Sequence, residues 1–532
     1  MNNQYPKIGN LFRPIDSLIT NASNRLNPKT LVISVIVLPL LIAFILPILF
    51  WGKLIFDFLP NSSDEVTYWR EINTFVNYGF NGGQYSNDEL IARFDGSHFG
   101  THGPAFAVSY GLLGKVIGWD GYTPVLINIS LIFLAMIVVI KLVNPDNKQL
   151  LILLVLFVTW WPLQLYIPSN MQETLHSSAA IVLAAFFYQF FTDRRRKLTY
   201  FIYISVILVF LVAFRYIWGF LLFPAILFFP RRPNLKSWTW ATIGTALLLM
   251  TGAWFVLAFY SPSPWFWTTL IQTFMSSTKA GLIEFAQHFV ESLNSFFIWG
   301  TSISLVALVR YQVLGLIIVW MIWQIRHIKN REIDRAYESR EHWFHIFNLS
   351  SVLIFVLFFY DVLDTRDYRM LIGPLLLSAV MMVLSRKLIY VYPLIVVNII
   401  FTVAFVTYYV PYRYSNFNYD PRVLEETSKS INSNIYFEPS LNRWCNTIAV
   451  SKYGRFNAFS YSITTIHSGF GTTTVLDWKE FLDRPLQSRY VILDPEYSLP
   501  GLPSPVNRFD LIEIALTPLG TLLLNPYSSC ND

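Results

Sequence analysis

The sequence predicts an α-helical polytopic membrane protein of about 11 transmembrane helices with external juxtamembrane helices. A small C-terminal extracytoplasmic domain, α/β or mostly β, is expected to follow. Three observations carry this. Of 532 residues, 54% are hydrophobic, 17% aromatic and only 14% charged, against roughly 25% charged in a soluble domain; mean hydropathy is +0.45. Apolar runs long enough to span hydrocarbon recur between residues 31 and 410. Beyond 410 the chain turns polar, punctuated by Pro and Gly, with strand-like runs such as "RYVILD" and "LIEIALTPLGTLLL".

Residues 1–30 are polar and basic, and the first apolar run lacks a small-residue cleavage site after it. That run reads as a retained anchor rather than a signal peptide. Candidate spans follow at 31–51, 122–142, 149–167, 172–191, 198–213, 216–229, 237–259, 305–325, 344–360, 368–384 and 388–410. The pieces at 198–213 and 216–229 are short enough to be one bent element. Residues 104–119, "PAFAVSYGLLGKVIGW", are short and Gly-rich and fit a helix lying at the interface.

Charge tests this threading. With a cytoplasmic N-terminus, the inner connections are "KLVNPDNK", "DRRRK", "PRRPNLK", "RHIKNREIDR" and "SRK", all basic or mixed-basic. The outer connections are poor in Lys and hold most of the carboxylates, as the positive-inside rule asks. Counting 104–119 as a full span would invert the pattern and export "DRRRK". The net charge of +6 is thus accounted for by inner loops and needs no nucleic-acid partner.

The chain divides into a cytoplasmic segment (1–30), a transmembrane domain (31–410) whose first external loop covers 52–121, and an extracytoplasmic domain (411–532). The two cysteines, Cys445 and Cys530, both fall in the last. Outside the membrane they meet an oxidising compartment and can pair; the alternative is two buried thiols. No Cys/His cluster has zinc spacing, and His98 and His102 sit in a Gly-interrupted loop, so no metal ligand set is assigned. No internal repeat is visible, which disfavours an inverted-repeat transporter.

The 52–121 loop is the most unusual stretch. It holds Asp64, Glu65, Glu71, Asp88, Glu89 and Asp95, with Tyr68 and Trp69 just after the first pair. If "DEVTYWREINTFVNYG" is helical, Asp64 and Glu65 occupy its first turn, where acids complement the helix dipole with no further role. The combination "SDEVTYW…NYGF" and "FDGSHFGTHGPAF…GLLGKVIG" resembles the first external loop of GT-C glycosyltransferases, nearest to the protein O-mannosyltransferase and aminoarabinose transferase branches. Those branches carry an Asp-Glu pair, an aromatic a few residues later, and a His-Pro-Pro or Lys-Pro-Pro element before an apolar helix ending in Gly. Here the tripeptide is His102-Gly103-Pro104, with one proline replaced. "PSNMQETLHSSAAIVLAAFFYQFFTDRRRK", with Glu173 at the acidic place, is similar to the second external connection of that family. "DTRDYRMLIGPLLL" is similar to its late Arg-Tyr element, with Arg366, Tyr368, Arg369 and Pro374. The likeness covers most of the chain in organisation and only short segments in letters.

The resemblance implies transfer of a sugar from a polyprenyl-phosphate donor to a glycan, lipid or protein acceptor on the outer face of a membrane. A bacterial plasma (inner) membrane is the expected location. Such chemistry needs a general base for the acceptor, worth about 10²–10⁴ in rate. It also needs cations on the departing phosphate and an apolar groove for the prenyl chain. Asp64 is the expected base, with Glu65 its competitor or positioning partner. Arg215, Arg310, Arg366 and Arg369 are expected on the donor phosphate, because cations at an outer membrane boundary are costly and usually have a partner or a task. Snorkelling or ion pairing is the plain alternative for each. Tyr68, His102 and Glu173 are expected to position substrate. Some relatives use a divalent cation (Mg or Mn) and others none, and the residues leave this open. The Trp clusters "TWWP" and "SPSPWFWTTL" read as an interfacial belt, and the amphipathic "GLIEFAQHFVESL" as a segment over the groove.

Three other readings compete: a lipid-linked saccharide transporter or flippase, an oligosaccharide ligase of the same architecture, and a non-catalytic scaffold. A transporter would want mid-span charges and internal symmetry. A scaffold would depend on neither Asp64 nor the external arginines.

Overall fold

The computed structural model of the chain describes residues 12–52, 54–57, 63–81, 85–86, 99, 103–230, 233–258, 266–297, 320–321, 336–359, 369–388, 391–404, 407, 421–438, 441, 443–451, 467, 469–475, 486–493, 510–528 and 530. Most of these residues are helical.

The helices begin with α1 (Arg13–Arg25) and α2 (Pro28–Trp51). Asn27 caps α2 by accepting from the Lys29 backbone N–H, and Pro28 occupies the first turn, where its missing donor costs nothing. The helix stops at Gly52, whose φ of +63° closes a left-handed cap onto the Ile48 carbonyl. Next come α3 (Ser63–Tyr78), α4 (Ala105–Ile117), α5 (Thr123–Val143) and α6 (Asn147–Thr159). Asp146 and Gln149 start α6 with a reciprocal capping box. The expected 149–167 span is interrupted: Trp160 leaves helical geometry and Pro162 opens a separate short helix, α7 (Trp161–Tyr166).

Then follow α8 (Glu173–Thr192), α9 (Lys197–Val212), a 3-10 turn (Tyr216–Leu221) and α10 (Leu222–Leu227). The chain bends at Arg215, so 198–229 is one broken element rather than two full spans. The later helices are α11 (Leu235–Ala258), α12 (Phe266–Ser276), α13 (Thr278–Phe297), α14 (Ala336–Phe359), α15 (Arg369–Leu384), α16 (Tyr392–Ala404) and α17 (Pro421–Asn432).

The bundle centres on α8, which packs against α5 on one side and α15 on the other. Every residue of α15 from Met370 to Leu384 is buried, as an all-round apolar helix must be. Outer helices do the reverse. α9 exposes Ile202, Val206, Val209 and Phe210, and α11 exposes Trp240, Leu247, Met250 and Trp254. Such wide apolar surface suits lipid and would be a liability in water. Among the described residues three helices are long and apolar enough to cross a membrane: Pro28–Leu49, Thr123–Val143 and Glu173–Thr192. Other expected spans fall on shorter apolar helices, α6, α9, α15 and α16 among them; most of 305–325 lies outside the described residues. The chain is therefore an integral membrane protein by its apolar helices.

Five strands of the C-terminal part and one from residues 85–86 form a six-stranded mixed sheet: β1 (Tyr85–Ser86), β2 (Thr447–Ser451), β3 (Gly471–Val475), β4 (Tyr490–Leu493), β5 (Ile512–Thr517) and β6 (Gly520–Leu524), in the order β1-β3-β2-β4-β6-β5. β1, β3, β2 and β4 are parallel, and the hairpin β5–β6 joins antiparallel, with Val491 opposite Leu523. One face buries Ile448, Val450, Ile492 and Leu522 together with Ile431 of α17. Cys445 and Cys530 are joined by a disulfide across a sequence separation of 85 residues.

The edge strand β1 comes from the 52–121 segment, not from the C-terminal segment. Helix α3 of the same segment also docks on the sheet domain: the Arg70 guanidinium donates to the Phe470 carbonyl, and Tyr78 meets Phe437 edge to face at 5.2 Å. The 52–121 loop and the 411–532 domain, divided in the sequence reading, are thus joined.

Candidate active site

The site is built where α8 begins. Glu173 is its first residue and is 1% exposed. Facing it is Arg215, in extended backbone (φ −148°, ψ 120°) at the break between α9 and the 3-10 turn. A residue in a helix break projects its side chain independently of either helix, and Arg215 uses this to place its Nη2 on the Glu173 Oε1 as a buried ion pair. Its Nη1 also donates to the Arg369 carbonyl at 3.5 Å. Arg369 opens α15, and its charge acts on the Glu173 carboxylate together with that of Arg215. Two cations and one carboxylate therefore meet at one end of the central helices.

One turn along, the same two segments meet again. Trp218 Nε1 donates to His176 Nδ1 at 2.9 Å, and the rings lie 6.0 Å apart at 25°. Glu173/His176 and Arg215/Trp218 each have i, i+3 spacing, so both pairs fall on facing stripes. Gly373 of α15 lets this happen, since a Cβ there would sit 2.9 Å from Trp218 Cζ2. His176 and Trp218 were not singled out from the sequence, where they look like ordinary members of apolar runs.

The connection before α8 is fixed from below. Tyr110 of α4 donates to Asn128 Oδ1 at 2.8 Å, and Asn128 Nδ2 in turn holds the Ser169 carbonyl at 2.7 Å and the Ile167 carbonyl at 3.1 Å. Asn170 then reaches α3, donating from Nδ2 to the Glu65 carbonyl at 3.4 Å. This bond ties the first turn of α3 to the connection that leads into Glu173. Glu65 is 1% exposed, and buried Tyr68 packs edge to face on Phe106 at 5.2 Å. The side chain of Asp64, and His102, Arg310 and Arg366, lie outside the described residues.

Around this junction, buried polar atoms lack hydrogen-bond partners among the described residues. They are both amide atoms of Gln164 and of Gln172, Asn170 Oδ1, Glu173 Oε2 and Thr174 Oγ1. Buried polar groups are nearly always satisfied, and these seven atoms, all within residues 164–174, offer donors and acceptors that a polar ligand can use. No group of three His, Cys, Asp or Glu side chains among the described residues is arranged to hold a metal ion.

Fold and site together define a helical integral membrane protein with a mixed sheet and a buried carboxylate–arginine cluster at one end of its central helices. No protein-family model matches the chain, and no curated protein does. Among solved structures the chain is similar to the archaeal oligosaccharyltransferase AglB from Archaeoglobus fulgidus, determined with an inhibitory peptide and a dolichol-phosphate. The TM-score is 0.48 at 11% identity, over 88% of this chain and 69% of that one.

Proposed function

We propose that this protein is an inverting glycosyltransferase that moves a sugar from a polyprenyl-phosphate donor to an acceptor hydroxyl or amine at the outer membrane face. The observation that carries the reading is the buried meeting of Glu173, Arg215 and Arg369, with the connection into Glu173 tied through Asn170 to the first turn of α3. Arginine forks suit phosphate oxygens, and a carboxylate between two arginines keeps them in place until substrate arrives. Asp64 removes the acceptor proton as the acceptor atom attacks the anomeric carbon. The bond from that carbon to the phosphate oxygen breaks, and the departing phosphate takes the electron pair. Arg215 and Arg369 stabilise the charge it carries, with Arg310 and Arg366 assigned to the same phosphate from the sequence. Glu65 and Tyr68 line the acceptor side of α3, and Glu173 orients the arginines.

The test is direct. Purified protein is incubated with a panel of polyprenyl-phosphate monosaccharides, and free polyprenyl phosphate is measured. Release dependent on an acceptor supports the reading. Movement of the intact donor across a bilayer without release points instead to a flippase.

A further inference from the structure

At the opposite end of the bundle, α1, the start of α6 and the end of α15 enclose a cavity of about 520 Å³. It lies roughly 24 Å from Arg369, given the 16 residues of α15 at about 1.5 Å each. Four cations line it, Arg13, Lys148, Arg386 and Lys387, against two carboxylates, Asp16 and Asp146, with Phe12 and Leu388 as an apolar wall.

The walls are held in place. Asn147 Nδ2 donates to the Ser23 and Leu26 carbonyls at 3.3 Å each, and Gln149 Nε2 to the Leu384 carbonyl at 2.7 Å. Lys148 bridges to Asp16 at 2.7 Å. Arg386 is the unusual member. It ends α15 in the left-handed region, at φ +57°. Its N–H bonds the Val383 carbonyl (3.0 Å), and the Lys387 N–H bonds the Met382 carbonyl (2.9 Å). This is a Schellman cap with arginine where glycine is ordinarily found and is less strained. The conformation turns Arg386 and Lys387 together to the cavity. Strain of this kind persists where surrounding structure imposes it and often marks a functional position.

Lys387 is engaged by Glu341 of α14 at 2.8 Å, with the two side chains 17% and 14% exposed, and the other cations are held more loosely. Arg386 bridges Asp146 at 2.7 Å, but the side chains are 71% and 41% exposed, and exposed pairs hold weakly. Arg13 has no ion pair with a described residue. The volume is in the range of small-ligand sites.

We propose that this cavity binds a phosphate-bearing anion, its phosphate held by Arg13, Lys148 and Arg386 and its organic part against Phe12 and Leu388. The phosphate has two sources, an anionic lipid headgroup or a soluble phosphate ester. The site stands apart from the proposed transfer reaction and does not depend on it.

The experiment uses full-length protein in phosphatidylcholine nanodiscs, with and without phosphatidylglycerol. Lipid retention is read by native mass spectrometry, and glycerol 3-phosphate binding by calorimetry in the neutral nanodiscs. The variants are Arg13→Ala and Arg386→Gly. The second relieves the left-handed strain, so its thermal midpoint should not fall, which separates binding from folding. Each variant is expected to lose about tenfold in affinity, the worth of one charge-assisted contact. Loss in the lipid arm alone assigns a headgroup, and loss in the soluble arm assigns a phosphate ester. If both probes bind wild type and variants equally, or bind neither, the proposal is overturned.

Discussion

Arg215 and Glu173 form a buried ion pair across the start of the central helix, their side chains 10% and 1% exposed. Forty-two residues separate them in sequence, and the pair joins a helix break to a helix start. Breaking it by Glu173→Gln or Arg215→Ala removes the nearest counter-ion of a charge in a dry site and should cost about 3–5 kcal/mol. The paired replacement Glu173→Gln/Arg215→Met should cost clearly less than the sum of the single changes. Denaturant unfolding in micelles, run as a double-mutant cycle, measures this.

Gly373 is the contact point of α15 on Trp218. A methyl group there would approach the indole at 2.9 Å, and that ring is pinned by its bond to His176. Gly373→Ala should therefore destabilise the bundle by about 1–3 kcal/mol, the usual cost of overpacking. A smaller effect in the Trp218→Leu background would locate the strain at this contact.

His467 supplies a pH dependence. Its Nδ1 accepts from the Gly469 N–H at 3.2 Å and its Nε2 lies 3.2 Å from the Tyr78 hydroxyl. The accepting Nδ1 fits the neutral ring. Burial first, and then the Arg70 charge, hold its pKa below the usual histidine value of 6.5. A depressed histidine pKa contributes stability that is present above the unfolded value and is lost as pH falls through the folded one. The contact between α3 and the sheet domain should loosen on acidification below 6.5 and recover on return. Hydrogen exchange in α3 between pH 7.5 and 5 reads it out, and His467→Gln should flatten the profile.

The disulfide closes a long loop in the sheet domain. Reduction, or Cys445→Ser with Cys530→Ser, should cost that domain about 2–5 kcal/mol. Thermal unfolding with and without reductant would show it as a shift in the domain transition while the bundle is unchanged.

Much of this organisation was legible in the residues. Arg215 stood out because a cation between two apolar runs is expensive, and the structure gives it a partner. Glu173 was expected to position substrate, and it opens the central helix beside that arginine. The short apolar stretch at 104–119 is a helix, α4, as its residues suggested. Helix α1 was not expected because its residues are mostly polar, and it is tied down by tertiary bonds such as Lys148–Asp16. Strand β1 has two residues and no periodicity to detect; it exists because β3 offers an edge. His176 and Trp218 carry no local signal, since only the crossing of α8 with the 215–218 turn makes them partners. The cysteine pairing stayed open in the sequence because connectivity depends on which strands become neighbours.

The central claim is that the carboxylate opening α3 drives transfer to the acceptor. The measurement is polyprenyl phosphate release, with the productive donor and acceptor, by wild type and by Asp64→Asn in equal folded amounts. Loss of a general base should lower the rate by about 10²–10⁴, while Glu65→Gln should fall less. Full activity of Asp64→Asn would contradict the account.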